Sequence, residues 1–253
     1  MRRVASADPT GPIGQSELLV AMAGARRILD AGCGSGRLTV ALAQAGAAVT
    51  GVDTSRERLD RARARACKAA VELDLVESDF NSPLPCVEGA FDGVTSRLSL
   101  MAASDPVATL RELLRVLEPG GRLATAVWAS PAENPWFAIP RDAIATVLGA
   151  QCASFARAFG RLGDPDEAAD AHRTAGLRDV EATVVVASFD ISSAAEHWEG
   201  LVRDNGHFRR IAATATSDEQ TTIVQELQAR LAGLRRGERL CLERTLVLIT
   251  GRR

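Results

Sequence analysis

The stretch Ile28-Leu29-Asp30-Ala31-Gly32-Cys33-Gly34-Ser35-Gly36 constrains this chain more than any other. A short apolar run suited to a buried strand enters a turn with glycine at every second position. A helical pattern, Arg37–Gln44, follows at once. Strand, glycine turn and helix in this order occur where open α/β sheets bind ligands, outside the carboxyl ends of the strands. Glycines at 32, 34 and 36 permit tight turning and close approach of a ligand to the backbone. The N–H groups that open the helix favour an anionic group there.

The same alternation continues. Ala47–Val52 reads as a strand ending in Asp53, and Ser55 is placed to cap a long helix running to Val71. Asp74–Glu77 and Phe91–Thr95 read as strands, Pro106–Leu117 as a helix, Pro119-Gly120-Gly121 as a turn and Arg122–Trp128 as a strand. Strands alternating with helical patterns imply βαβ units and a parallel sheet with helices on both faces. After that the pattern changes. Proline and glycine break a helical region over 131–176, Val180–Ala187 is a strand, helices fall at 192–203 and 217–234, and a last strand lies near Leu240–Thr250. The reading is one α/β domain over 1–253 with about seven strands and helical insertions at 131–176 and 190–236. Residues 1–14 are expected to be a flexible arm, because Pro9, Gly11, Pro12 and Gly14 interrupt any period.

Charge narrows the partners. Lys+Arg 30 against Asp+Glu 32 leaves a net charge of -2 over 253 residues, so no global field draws the chain to nucleic acid. The arginine-dense helix with Arg56, Arg58, Arg61, Arg63 and Arg65 spreads its charges around most of its circumference, as a solvated face does. No run reaches the ~18 apolar residues of a membrane span, and the first residues hold no apolar stretch of a secretory signal. The five cysteines are odd in number, far apart and never in a C-x-x-C pair, which suits reduced thiols in a cytoplasm and argues against zinc. No acidic cluster suggests another metal. Lys68 is the only lysine, and tyrosine is absent.

Asp53, at the end of a buried strand, suits a carboxylate that accepts hydrogen bonds from a ribose diol. Together with the glycine turn it points to an adenosine-containing cofactor. A nicotinamide dinucleotide fits that much, but two details oppose it. The spacing is G-x-G-x-G rather than G-x-G-x-x-G, and Asp30 would set its charge against a pyrophosphate. The α-ammonium of an amino acid would be welcome beside Asp30, so the charge pattern prefers S-adenosylmethionine.

At this point the chain resembles the class I S-adenosylmethionine-dependent methyltransferases. ILDAGCGSG resembles their first motif and GVDTS the strand whose acid holds the ribose, with Thr54 beside Asp53. ESDFNSPLP places Asp79 and Phe80 where family members hydrogen-bond and flank adenine. AFDGVTSRLSLM and LRELLRVLEPGGRLATAVW resemble the fourth strand and the helix, turn and fifth strand. WASPAENPWFAIP and DPDEAADAHRTAGLRDVEA are similar to the UbiE-like branch acting on small molecules. The resemblance runs from about residue 15 to 188. It implies a Rossmann-like three-layer sandwich with a seven-stranded, mostly parallel sheet, an antiparallel last strand and helical insertions forming a lid. The cofactor set it implies is Asp30, Gly32, Cys33, Gly34, Gly36, Asp53, Thr54, Asp79, Phe80 and Arg97. Phe80 reads equally as core, and Arg97 as lining the methionine end, the acceptor pocket or a surface ion pair. Cys33 suits a compact filler.

The implied reaction is methyl transfer to oxygen or carbon, less readily nitrogen, of a small organic acceptor in specialised metabolism, with S-adenosylhomocysteine as product. A cyclase or a non-catalytic cofactor-binding protein on the same fold is the alternative. Base candidates are few. His207 and His197 flank the helix after the sixth strand, where an insertion would roof an acceptor pocket, and His172 is expected on an outer face. Trp136 and Phe137 suit either a pocket wall or anchors for the inserted helix. The stripe Ile223, Leu227, Leu231 and Leu234 suits a lid or a homodimer surface.

Overall fold

The computed structural model describes residues 2–5, 12–150, 160–236 and 239–253. Nine strands among them form one sheet: β1 (Arg2–Ala5), β2 (Arg27–Ala31), β3 (Ala48–Asp53), β4 (Asp74–Glu77), β5 (Phe91–Arg97), β6 (Leu117–Trp128), β7 (Arg178–Ile191), β8 (Arg235–Arg236) and β9 (Arg239–Arg252). Their order is β4-β3-β2-β5-β6-β9-β7-β1, with β8 turned back on β9. All of the main path is parallel except β9, which runs antiparallel to both β6 and β7.

Helices α1 (Gln15–Ala21), α2 (Arg37–Gln44), α3 (Arg56–Ala69) and α4 (Pro106–Val116) precede β6. Helices α5 (Pro135–Leu148) and α6 (Pro165–Ala175) lie between β6 and β7, and α7 (Ala194–Asp204), α8 (Gly206–Thr214) and α9 (Ser217–Leu231) between β7 and β8. Their starts are written in the sequence as caps. Ser55 accepts the Arg58 N–H, Asp105 that of Ala108 and Asn205 that of His207, while Thr216 and Glu219 form a capping box.

Strand periodicity builds two cores, because successive side chains point to opposite faces. Along β9, Leu246 and Leu248 join the cluster that holds Leu18, Leu42, Phe208 and Leu227, while Val247 and Ile249 join the one that holds Leu110, Leu113 and Ala168. Helices cover both faces, so the architecture is the three-layer α/β sandwich expected.

Two expectations change. The sheet exceeds seven strands, and residues 2–5 are a strand rather than a free arm. Strand β7 is 14 residues long, and without β1 its outer edge would present unpaired backbone groups. Arg2–Ala5 covers part of it in parallel register, Arg2 opposite Thr183 and Ala5 opposite Val186. Residues 6–11 of the expected arm lie outside the described residues.

Candidate cofactor cleft and adjoining aromatic pocket

The parallel strands β2, β3 and β5 all end at one rim, and the chain reverses its direction of sheet building between β3–β4 and β5, so the rim above β2 is a topological switch point. The glycine turn leaves β2 there. Its Gly32 and Cys33 N–H groups donate to the Val52 carbonyl at 2.8 and 3.0 Å, tying the turn to the end of β3. Gly32 has φ 76°, and a Cβ there would lie 2.3 Å from Ser99 Cβ, so neither backbone nor space admits a side chain. Gly36 packs its backbone against Ala62 of α3, where a Cβ would come within 2.7 Å of the alanine methyl.

A cleft of about 900 Å³ opens over this turn. Of the residues singled out from sequence, Asp30, Gly32, Cys33, Gly34, Asp53, Thr54, Asp79, Phe80 and Arg97 line it. Gly36 does not; its place is the packing of α2 on α3.

Asp53 is 5% exposed, accepting the Gly34 N–H on Oδ2 and the Ser55 N–H on Oδ1, both at 2.9 Å. Each oxygen keeps a further lone pair for a hydroxyl. Asp30 is 1% exposed and accepts from Thr39 Oγ1 at 2.7 Å and Thr95 Oγ1 at 3.2 Å. Burial outweighs those hydrogen bonds and raises its carboxyl to about 6. Burial likewise pushes the Cys33 thiol up, and its sulfur packs toward Gly51. Asp79 is exposed and accepts from the backbone and the side-chain amide of Asn81 at 2.9 and 2.8 Å. Phe80 packs on the second core while one ring edge meets the glycine turn. Arg97 donates from Nε to the Ile13 carbonyl at 3.0 Å, and burial draws its guanidinium down to about 10.

A second pocket of about 630 Å³ adjoins the first, and Ser35, Arg37 and Arg97 line both. Trp128, Trp136, Phe137 and Phe189 furnish its aromatic surface. Phe137 meets Trp128 edge-on at 4.9 Å and is also part of the core, so it anchors α5 as well as facing the pocket. Asn134, fully buried, stitches β6 to β9 by accepting the Thr245 N–H at 2.8 Å and donating to the Ala129 and Thr245 carbonyls.

The three histidines have different surroundings. His197 lines the aromatic pocket, 2% exposed, with Nε2 3.1 Å from the Trp136 carbonyl oxygen, and burial lowers its imidazole to about 4. His207, on α8, is not among the residues lining either cavity, although its neighbours Gly206 and Arg209 overhang the cofactor cleft. His172 faces inward rather than outward: it is buried, with Nε2 2.9 Å from Thr125 Oγ1 and Nδ1 2.7 Å from the Ala168 carbonyl, and sits at about 4 through burial. The signal was present, since Ala168, Ala169 and His172 share one helical face.

Sequence reading missed Arg37, Ser99, Phe189, Arg203 and Arg244. Arg37 follows the glycine turn directly and was open to that inference. The others meet only through the fold. Among the described residues no group of three or more His, Cys, Asp or Glu side chains is placed to hold a metal, and no helix is long and apolar enough to cross a membrane.

Residues 29–125 match a family described as a methyltransferase domain. An uncharacterized protein of Mycobacterium tuberculosis is 41% identical over 123 residues, 47% of this chain and 43% of that protein. A ubiquinone biosynthesis O-methyltransferase of Xanthomonas oryzae pv. oryzae is 37% identical over 102 residues, 40% and 42% of the two chains. The matched region thus spans less than half the length of these curated relatives. Over 94% of this chain and 98% of the other, the structure superimposes on a putative methyltransferase from Bacillus halodurans with a TM-score of 0.64 at 18% identity, a likeness of fold. Residues 29–125 are thus similar in sequence to a methyltransferase domain, and the chain that carries them shares its Rossmann-like three-layer fold with that putative methyltransferase.

Proposed function

We propose that the protein transfers the methyl group of S-adenosylmethionine to an oxygen or carbon atom of a small organic acceptor. The observation that carries this reading is the junction of the two cavities at Ser35, Arg37 and Arg97. A cofactor in one and an acceptor in the other would meet there. The cofactor cleft fits the group on its own chemistry: the Asp53 carboxylate suits a ribose diol, buried Asp30 an ammonium, the side-chain-free face of Gly32 a close ligand, and Phe80 with Asp79 a flat heterocycle that donates. When bound, S-adenosylmethionine supplies a methyl carbon already activated by a sulfonium.

The protein's task is then positioning. Holding two reactants in line contributes roughly 7–11 kcal/mol in favourable cases. Asp30 and Asp53 would orient the two ends of the cofactor, and the aromatic walls would orient the acceptor and exclude water. His197 is the one histidine in the acceptor pocket. Its Nε2 faces a carbonyl, which only accepts, so Nε2 carries the hydrogen and the ring is neutral at pH 7. It suits shaping the pocket better than taking a proton. Helices α7 and α8 would serve as the lid, because Gly200 and Leu201 border the acceptor pocket while Gly206 and Arg209 border the cofactor cleft. The setting remains specialised metabolism, in a cytoplasm, with S-adenosylhomocysteine as product.

Calorimetry with S-adenosylhomocysteine and with NADH tests the cofactor. Micromolar binding of the former is expected, and a preference for NADH would overturn the reading. Incubation with methyl-deuterated S-adenosylmethionine and a panel of small phenols and acids then tests transfer. A product heavier by one labelled methyl group is expected. An acceptor converted without gain of mass would make the protein a cyclase on this fold.

A further inference from the structure

The aromatic pocket holds one polar atom that the reading above does not use. His197 Nδ1 is buried and has no hydrogen-bond partner among the described residues. The other ring nitrogen is committed, with Nε2 3.1 Å from the Trp136 carbonyl oxygen. A carbonyl only accepts, so Nε2 carries the hydrogen, and in the neutral ring Nδ1 presents a lone pair. Burial, with the nearby charge of Arg244, opposes a second proton and holds the imidazole at about 4.

The orientation of the ring is fixed. It packs edge-on against the Trp136 indole at 4.4 Å, and the Nε2 tether holds it from a second side. Its backbone is set in α7, where the His197 N–H donates to the Ser193 carbonyl at 3.1 Å. The residue is 2% exposed and lines the pocket together with Trp136, Phe137 and Phe189. A buried acceptor left unpaired costs more than a typical hydrogen bond contributes. A flat ligand that filled this pocket without a donor would leave Nδ1 dry, and one with a donor would satisfy it. The aromatic walls suit an aromatic ring. A hydroxyl is the donor that enters them at least cost, since a charged ammonium must first shed its water.

We propose that this pocket takes a hydroxylated aromatic ring as acceptor and that His197 Nδ1 accepts a hydrogen bond from its hydroxyl. His197 lines the aromatic pocket and not the cofactor cleft. The hydroxyl it holds therefore stands away from the junction of the two cavities, and His197 is a positioning residue rather than a base. The assignment of the pocket to the acceptor rests on the methyltransferase reading, but the donor preference belongs to the pocket and can be measured apart from it.

The test uses two probes of nearly one shape, 2-naphthol and 2-fluoronaphthalene, of which only the first can donate. Each is titrated by calorimetry into the full chain with and without saturating S-adenosylhomocysteine. Naphthol is expected to bind about tenfold or more tighter than the fluoro compound. The chain has only three histidines, so their ring nitrogens can be followed by nitrogen NMR after histidine labelling. The His197 Nδ1 signal should differ between the two complexes, shifted as a hydrogen-bonded nitrogen is with naphthol and unshifted with the fluoro compound. In His197→Phe, which keeps a flat ring beside Trp136, the two probes should bind alike while S-adenosylhomocysteine affinity holds. His197→Asn, whose amide oxygen stands about where Nδ1 does, should retain part of the preference. Equal binding of the two probes by the parent protein overturns the proposal without recourse to any variant. So does a His197 Nδ1 signal that is the same in both complexes. A full preference surviving in His197→Phe overturns it too, as does absence of all probe binding while S-adenosylhomocysteine binds. Failure of S-adenosylhomocysteine to bind, with the naphthol preference intact, would instead strike the cofactor reading and leave the hydroxyl recognition standing.

Discussion

The Gly34 N–H donates to Asp53 Oδ2 at 2.9 Å, so the middle glycine of the turn is fastened to the carboxylate that ends the neighbouring strand. The other oxygen holds the Ser55 N–H at the threshold of α3. One side chain therefore fixes the shape of the turn and the entry to a helix while still facing the cleft. Asp53→Ala should release both N–H groups together. A stability loss of about 1–3 kcal/mol in urea unfolding is expected, with at least about a tenfold fall in S-adenosylhomocysteine affinity. Asp53→Asn, able to keep one acceptor, should fall between. An alanine variant that binds S-adenosylhomocysteine as the parent does would remove Asp53 from the cofactor site.

Two glycines of the turn should respond differently to a methyl group. Both have positive φ, but a Cβ on Gly32 would collide with Ser99 whereas a Cβ on Gly34 meets nothing within 4 Å. Gly34→Ala should cost roughly 1–2 kcal/mol, the price of the left-handed backbone alone. Gly32→Ala should cost more and displace Ser99, whose hydroxyl now donates to the Ala31 carbonyl at 2.8 Å. Equal unfolding midpoints for the two variants would contradict the close approach.

Stability should titrate in opposite senses at two buried groups. Asp30 takes its proton at about 6 in the folded chain against 3.8 when free, so the folded state binds more protons between those values. Its contribution is present below pH 4 and is lost as pH rises toward 6. His172 takes its proton only near 4 when folded against 6.5 when free, so its contribution is present above pH 6.5 and is lost as pH falls toward 4. Each amounts to roughly 3 kcal/mol across its window. Urea midpoints at pH 4.5, 5.5 and 6.5 should therefore rise more steeply with pH in Asp30→Asn and less steeply in His172→Gln than in the parent. Three parallel profiles would refute both assignments.

The cysteines offer a chemical check on the turn. Cys67 is exposed on α3, while Cys33 is buried with its thiol pushed up. Iodoacetamide at pH 8 should modify Cys67 at least about tenfold faster than Cys33, read peptide by peptide in a mass spectrometer. Comparable rates would show the turn open to solvent.

What the sequence disclosed and what it withheld follow from the distance over which each feature is decided. The glycine turn, Asp53 and the cap at Ser55 are local: an apolar run, its terminating acid and the next hydroxyl declare themselves within a few residues. Helix α8 hid inside an apparent break, although Asn205 ahead of Gly206 is a cap that could have been read. Strand β1 was invisible because the run Arg2-Arg3-Val4-Ala5 is too short and polar to mark a strand without its partner. The aromatic pocket was the least legible part. Trp136, Phe189 and Arg244 come from α5, β7 and β9, and no pattern within any one of these elements announces the other two.

The placement of β9 has a consequence for the order of events in time. The half of the sheet that carries the glycine turn, β2 through β6, is drawn from consecutive segments joined largely through the helical crossovers α2, α3 and α4. Strand β9 comes from far along the sequence to pair Trp128 with Leu246 and, on its other side, Val184 with Val247. Closing so long a loop is entropically slow, so the half with the glycine turn can assemble while β7 and the aromatic wall still wait for their seam. The line between β6 and β9 is accordingly expected to be the last to close. It is also where a partial unfolding event would part the aromatic wall from an intact cleft over the glycine turn.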